Sequence, residues 1–247
     1  MAFQPTASPA TKSVVVTGFE PFGGRRVNRS WEAVKRLQAP PSWEKRLLAV
    51  DYQKIVGEIA ELAKQKPACL LLVGESPGRH LAVEQVALNL ADTTRADNSQ
   101  SPPRRETLLD DQPLALRASW DARVVAKRIA AAGIPAAASY HAGTYCCNAS
   151  LYLAIASLAA HTAVGFLHVP AGRWPRGIRL AKLATAIAIC IDSLATINLS
   201  LSEQRLDPTV HKGSLIHALH TAPCLLVDRR RVLHRWCHPR PQRIAFV

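Results

Sequence analysis

The chain has 247 residues, 48% of them hydrophobic, which is enough for one sizeable core and argues against a second full domain. Its formal charge of +13 would ordinarily point to nucleic acid or an anionic surface; residues 201–247 hold eight Lys and Arg against three acidic residues, a local surplus of five, and five of the nine histidines, which makes the tail compositionally distinct. The opening MAFQPTASPATK lacks the apolar stretch of a secretory signal, and six scattered cysteines do not form the dense framework of small secreted folds, so a reduced, cytoplasmic protein is expected.

In chain order, residues 13–17 form a short β-branched run that ends in GFEPFGG. Helical spacing of Trp31, Val34 and Leu37 follows a capping candidate, Asn28 or Ser30. Residues 46–50 give a second apolar run, 53–64 a helix through Ile55, Ile59 and Leu62, and 68–73 a continuous apolar strand closed by Gly74. Residues 81–90 alternate as a strand, while 93–112, rich in Pro, Asp, Asn, Ser and Arg, form a long surface excursion of the kind that borders binding sites. A helix over 119–132, capped by Ser119 or Asp121, precedes a strand over 136–140, a helix over 145–160 and a strand over 164–169. The apolar stretches 149–169 and 180–201 are interrupted by His161, and by Lys182 and Asp192, so neither is expected to span a membrane. This alternation predicts an α/β fold: a single-domain, three-layer sandwich around a mostly parallel central sheet. Its domain spans 13–202, between a flexible segment over 1–12 and a basic extension over 203–247.

Three residues stand where chemistry needs them. Cys147 lies at a predicted helix start, where unpaired backbone N–H groups and the positive end of the macrodipole favour a thiolate. Cysteines more often act as small buried hydrophobes, and Cys146 competes for the role. His168 ends a strand, on the side where open α/β sheets bind ligands, although a core histidine hydrogen-bonded to a carbonyl fits the same position. Glu84 sits among Val83, Val86 and Leu88, and a carboxylate there needs a partner such as an imidazolium.

Five motifs occur in order: VVVTGFEPFGG with Asn28-x-Ser30-Trp31 after it, Val73-Gly74-x-x-x-Gly78-Arg79, VEQVALN over 83–89, AGTYCCN over 142–148, and GFLHVP over 165–170. Together they resemble the pyroglutamyl peptidase I family across about residues 13 to 170. The resemblance implies a phosphorylase/hydrolase-like sandwich and a thiol exopeptidase that uses no metal and removes N-terminal pyroglutamate. It implies Cys147 as nucleophile, His168 as general base and Glu84 as the orienting carboxylate. It further implies that Phe19 and Phe22 sandwich the lactam, that Tyr145 and Cys146 line the same pocket, and that Asn28 holds the loop. A dimer or tetramer is expected, with no membrane or nucleic-acid partner.

Two departures bear on the site. Where the family commonly reads Asp-Ala-Arg-Ile-Pro-Asp-Asn, this chain reads Asp92-Thr93-Thr94-Arg95-Ala96-Asp97-Asn98, which displaces the arginine by one position. Where the family has Val-Gly-Gln, Glu75 adds an anion beside a slot meant for a neutral ring, which implies slower turnover or altered specificity. A second reading makes the domain catalytically silent and its tail a binder of nucleic acid or an anionic surface; the retained Cys, His and Glu argue against it. A third, a nucleoside-type transferase, lacks a basic phosphate constellation near Gly23. In the tail, Cys224, His234, Cys237 and His238 lack the paired short loops of structural zinc sites.

Overall fold

A computed structural model of the chain describes residues 13–101, 104–172 and 177–206. The segment 1–12 and the tail from 207 onward, with its candidate zinc ligands, lie outside the described residues. By internal contacts the chain divides into residues 1–203 and 204–247; the fold below is that of the first unit.

The central sheet has the order β2-β1-β3-β10-β4-β9. Its strands are β1 (Val14–Phe19), β2 (Trp43–Leu48), β3 (Cys69–Ser76), β4 (Leu81–Glu84), β9 (Ala136–Ser139) and β10 (Ala163–Pro170). β2, β1, β3 and β10 run parallel; β4 is antiparallel to β10, and β9 follows β4. Both faces are covered. Along β1, β3 and β10, Val14, Val16, Leu71, Val73, Leu167 and Val169 enter one core, while Val15, Leu70, Leu72, Val164 and Phe166 enter the other. The period of two thus buries every residue of β1 and β10 and all of β3 except Ser76, which is why they read as largely apolar runs.

The first core is closed by α1 (Arg29–Lys35), α3 (Ala122–Ala131) and α5 (Leu180–Leu206), the second by α2 (Tyr52–Gln65) and α4 (Cys146–Leu158). Asn28, Asp51 and Asp121 cap α1, α2 and α3 by accepting backbone N–H bonds, each cap contributing about 1 kcal/mol. The stretch 180–199 of α5 is long and apolar enough to cross a membrane by length and composition. Here one stripe of it, Leu183, Ala186, Ile187, Cys190, Ile191 and Leu194, recurs at helical spacing and is buried in the first core.

The strand expected over 81–90 is two strands. Gln85 leaves the sheet: its buried amide donates to the Trp120 carbonyl at 2.8 Å and accepts from the Ala122 N–H at 2.8 Å. β5 (Val86–Leu88) then pairs with β8 (Ala115–Arg117) in a separate ribbon. The expected excursion is also more ordered than its composition suggests. β6 (Ala91–Thr93) pairs with β7 (Arg104–Glu106), and the buried Asn89 side chain accepts from the N–H groups of Leu108 and Leu109 and donates to the carbonyls of Leu109 and Gln112.

Candidate active site

Strand parity brings the site together. On β10, His168 has the parity of Val164 and Phe166, so its ring emerges on the α2/α4 side; on β4, Glu84 lies opposite in parity to Leu81 and Val83 and faces the same side. β4 and β10 pair Phe166 with Glu84 and Ala82 with His168, which makes Glu84 and His168 diagonal neighbours on one face. The result is a buried contact of 2.8 Å between His168 Nδ1 and Glu84 Oε1.

Cys147 arrives from α4, whose first residue is Cys146. It is half-buried, whereas Cys146 is 1% exposed. β3 leaves room for the sulfur, because Gly74 pairs with His168 across β3 and β10 and a Cβ on it would stand 2.9 Å from Cys147 Sγ. Asn148 fixes the helix start by accepting from the Leu88 N–H and donating to the carbonyls of Leu88 and Leu90. Tyr145, at the N-cap position, makes no side-chain cap bond, so the first-turn N–H groups are left without that partner.

Electrostatics separate the thiols. Burial raises the Cys146 pKa, and the neighbouring charge of Cys147 adds to the effect. Burial likewise pushes Cys69 up to about 11 and raises Cys190. For His168, burial alone favours the neutral ring, but hydrogen bonds to Cys147 and Glu84 and their charges outweigh it and push the pKa up to about 9. Both neighbours thus favour the protonated ring over the neutral one.

These groups border a cavity of about 420 Å³ at the carboxyl ends of β1, β3 and β10. Every residue that the motifs pick out lines it: Cys147, His168 and Glu84 on one part of the wall; Phe19, Phe22, Asn28, Glu75, Arg95, Tyr145 and Cys146 around the rest. Phe19 is buried and Phe22 half-buried. Asn28 ties the loop between β1 and α1, donating to the Glu20 carbonyl and accepting from the Ser30 N–H and hydroxyl.

Two details differ from the expectations. Glu75 is not a bare anion: its fully buried side chain is ion-paired with Arg25 and accepts the Arg29 N–H at 2.6 Å. Arg25 is absent from the residues picked out by the motifs. It is placed by the turn Phe22-Gly23-Gly24-Arg25, where the Arg25 N–H reaches the Phe22 carbonyl and both glycines have positive φ, 61° and 73°. This folds its guanidinium back over the Phe22 ring, 4.6 Å from the centroid. The adjacent Gly-Gly was the available signal. Arg95, although displaced in sequence, stands 5.9 Å from the ring centres of both Phe22 and Tyr145. The surroundings of Gly23 are therefore more basic than the motifs suggest. Exposed His141 also lines the cavity and carried no sequence signal. Among the described residues no group of His, Cys, Asp and Glu is arranged to hold a metal ion.

The family model described as pyroglutamyl peptidase matches residues 12–193. The chain belongs to the pyroglutamyl peptidase family. It is thereby an enzyme of the cysteine-type peptidase class. A pyrrolidone-carboxylate peptidase from Thermococcus onnurineus is 39% identical over 165 residues, 64% of this chain and 82% of the relative. One from Cupriavidus taiwanensis is 34% identical over 206 residues, 75% of this chain and 95% of the relative. Among solved structures, pyrrolidone carboxyl peptidase from Thermus thermophilus superposes with a TM-score of 0.68 at 30% identity, covering 73% of this chain and 99% of that one. Pyroglutamyl peptidase I from Bacillus amyloliquefaciens gives a TM-score of 0.68 at 31% identity, covering 74% and 95%.

Proposed function

We propose that the chain hydrolyses the amide bond after an N-terminal pyroglutamyl residue, with Cys147 as nucleophile, His168 as general acid and base, and Glu84 as the group that orients His168. The observation that carries this reading is the buried imidazole held at 2.8 Å by Glu84, sharing with Cys147 the wall of a largely apolar cavity and raised in pKa by both neighbours. Pyroglutamate has no free amine, so a largely apolar slot lined by Phe19 and Phe22 suits its neutral ring. The ion pair between Arg25 and Glu75 spares that ring a bare anion.

In the first step the Cys147 thiolate attacks the pyroglutamyl carbonyl, and the uncapped N–H groups at the start of α4 stabilise the oxyanion. The His168 imidazolium donates its proton to the departing amine as the C–N bond breaks. His168, now neutral, then takes a proton from water as the water attacks the thioester, and pyroglutamate leaves with the thiolate restored. Cys146, buried and with its thiol held protonated, serves as a wall of the pocket. We assign this chemistry to residues 13–202, with 203–247 as a basic extension outside it. Its free catalytic thiol suits a reducing compartment, and we place the enzyme in the cytoplasm.

The test uses a pyroglutamyl-coupled chromogenic amide. A thiol alkylator and Cys147→Ala should each abolish release of the chromophore, while Cys146→Ala retains thiol-dependent turnover. Hydrolysis that survives Cys147→Ala overturns the assignment.

A further inference from the structure

We infer that the outer cavity beside the pyroglutamyl slot is a subsite that prefers a carboxylate on the departing part of the substrate, and that Arg95 is the residue that sets this preference. The inference rests on the activity proposed above. A second cavity of about 420 Å³ adjoins the first and shares Phe22, Glu75, Ser76, Pro77 and Arg95 with it, but reaches neither Cys147 nor His168. A pyroglutamyl residue is closed on itself at the amino end, so the peptide extends only from its carbonyl. Whatever follows that carbonyl must leave the first cavity, and the second, which shares five lining residues with it, is the space we assign to it.

The charges that face this cavity do not cancel. Glu75 is fully buried and already holds Arg25 and the Arg29 N–H, so that ion pair contributes little net charge. Arg95 is exposed and has no carboxylate partner among the described residues. It is steadied by the Phe22 and Tyr145 rings at 5.9 Å rather than neutralised. Nearby Asp97 is turned inward, its carboxylate accepting the N–H groups of Tyr52, Ser99 and Ser101. Among the described residues that line this cavity, Arg95 is therefore the one positive charge left uncompensated. It attracts an acidic side chain in the residue after pyroglutamate, or the terminal carboxylate of a pyroglutamyl dipeptide, and repels lysine.

The experiment measures kcat/KM of the full chain on pyroglutamyl-Glu-Ala, pyroglutamyl-Gln-Ala and pyroglutamyl-Lys-Ala amides at low and high ionic strength. Pyroglutamyl-Ala with a free or an amidated carboxyl gauges the terminal carboxylate. The expected order is Glu, Gln, Lys, with Glu favoured over Lys by about fivefold to tenfold at low salt and the ratio shrinking as salt screens the exposed charge. Arg95→Gln should bring the Glu-to-Lys ratio to about one whatever its effect on the absolute rates, and Arg95→Lys should keep most of the ratio. Equal cleavage of the three peptides by the native chain overturns the subsite alone, as does a ratio that Arg95→Gln leaves intact. Failure to cleave any pyroglutamyl peptide overturns the activity, and the subsite with it.

Discussion

The inner wall and the outer rim of the cavity are built differently. The inner wall is mostly strand: Gly74, Glu84 and His168 are fixed by register between β3, β10 and β4, the side chains of Glu84 and His168 face the α2/α4 side, and the start of α4 brings in Cys147. The rim is loop: Phe22, Arg25 and Arg95 hang on a two-glycine turn and a long excursion, held by one ion pair and ring contacts of 4.6 to 5.9 Å. The groups to which we assign chemistry sit on strands and at a helix start, while Phe22 and Arg95, to which we assign recognition, sit on loops. Of the two sequence departures, Arg95 lies on the excursion and Glu75 near the end of β3, and both line the outer cavity.

If that contrast holds, damage to the inner wall should cost far more than damage to the rim. Glu84→Gln leaves the shape but removes the charge that orients the imidazolium, and kcat should fall on the order of 10²–10⁴-fold with KM little changed. Steady-state kinetics on a pyroglutamyl amide checks it, and a loss of only a few-fold would place Glu84 outside the reaction. Gly74→Ala places a methyl 2.9 Å from Cys147 Sγ and 2.7 Å from the Phe166 ring. It should destabilise the fold by about 1–3 kcal/mol in urea titration and also lower kcat. Normal stability and activity would mean that β3 can shift, contrary to a rigid inner wall.

A pH experiment sharpens the point further. The His168 pKa is raised from its usual 6.5 to about 9, so its contribution to stability is fully present below pH 6.5 and is lost as pH rises through about 9. Part of the rise comes from Cys147. Over this window the melting temperature of the native chain should therefore fall relative to that of Cys147→Ala, and the His168 ring in that variant should titrate at lower pH by NMR. Parallel melting curves would mean that the sulfur and the ring are not coupled. The smallest effect belongs to the rim: Arg25→Met frees the Phe22 ring and should raise KM about threefold to tenfold with less change in kcat. A kcat loss as large as that of Glu84→Gln would erase the distinction between wall and rim.

The inner wall was far more legible in the sequence than the rim. Local patterns, a helix start, a strand end and a polar residue in an apolar strand, offered Cys147, His168 and Glu84 as candidates but left Cys146 and a core histidine open until the family resemblance chose among them. The split at Gln85 was not legible, because its amide is satisfied by residues 118–122, more than 30 positions away. Nor was the neutralisation of Glu75, whose partner Arg25 lies 50 residues earlier. The order within 93–112 was hidden for a similar reason: Asn89 and the pairing of β6 with β7 supply hydrogen bonds that a polar composition does not announce.

By itself the sequence determined the alternation of strands and helices, the faces their side chains take, and the thiol placed at a helix start, because periodicity and capping act over a few residues. The tertiary structure alone decided which strands became neighbours, that Gly74 clears space for the sulfur, and which charges at the mouth find partners. Those outcomes depend on contacts between residues far apart in the chain, and local pattern carries no record of such distances.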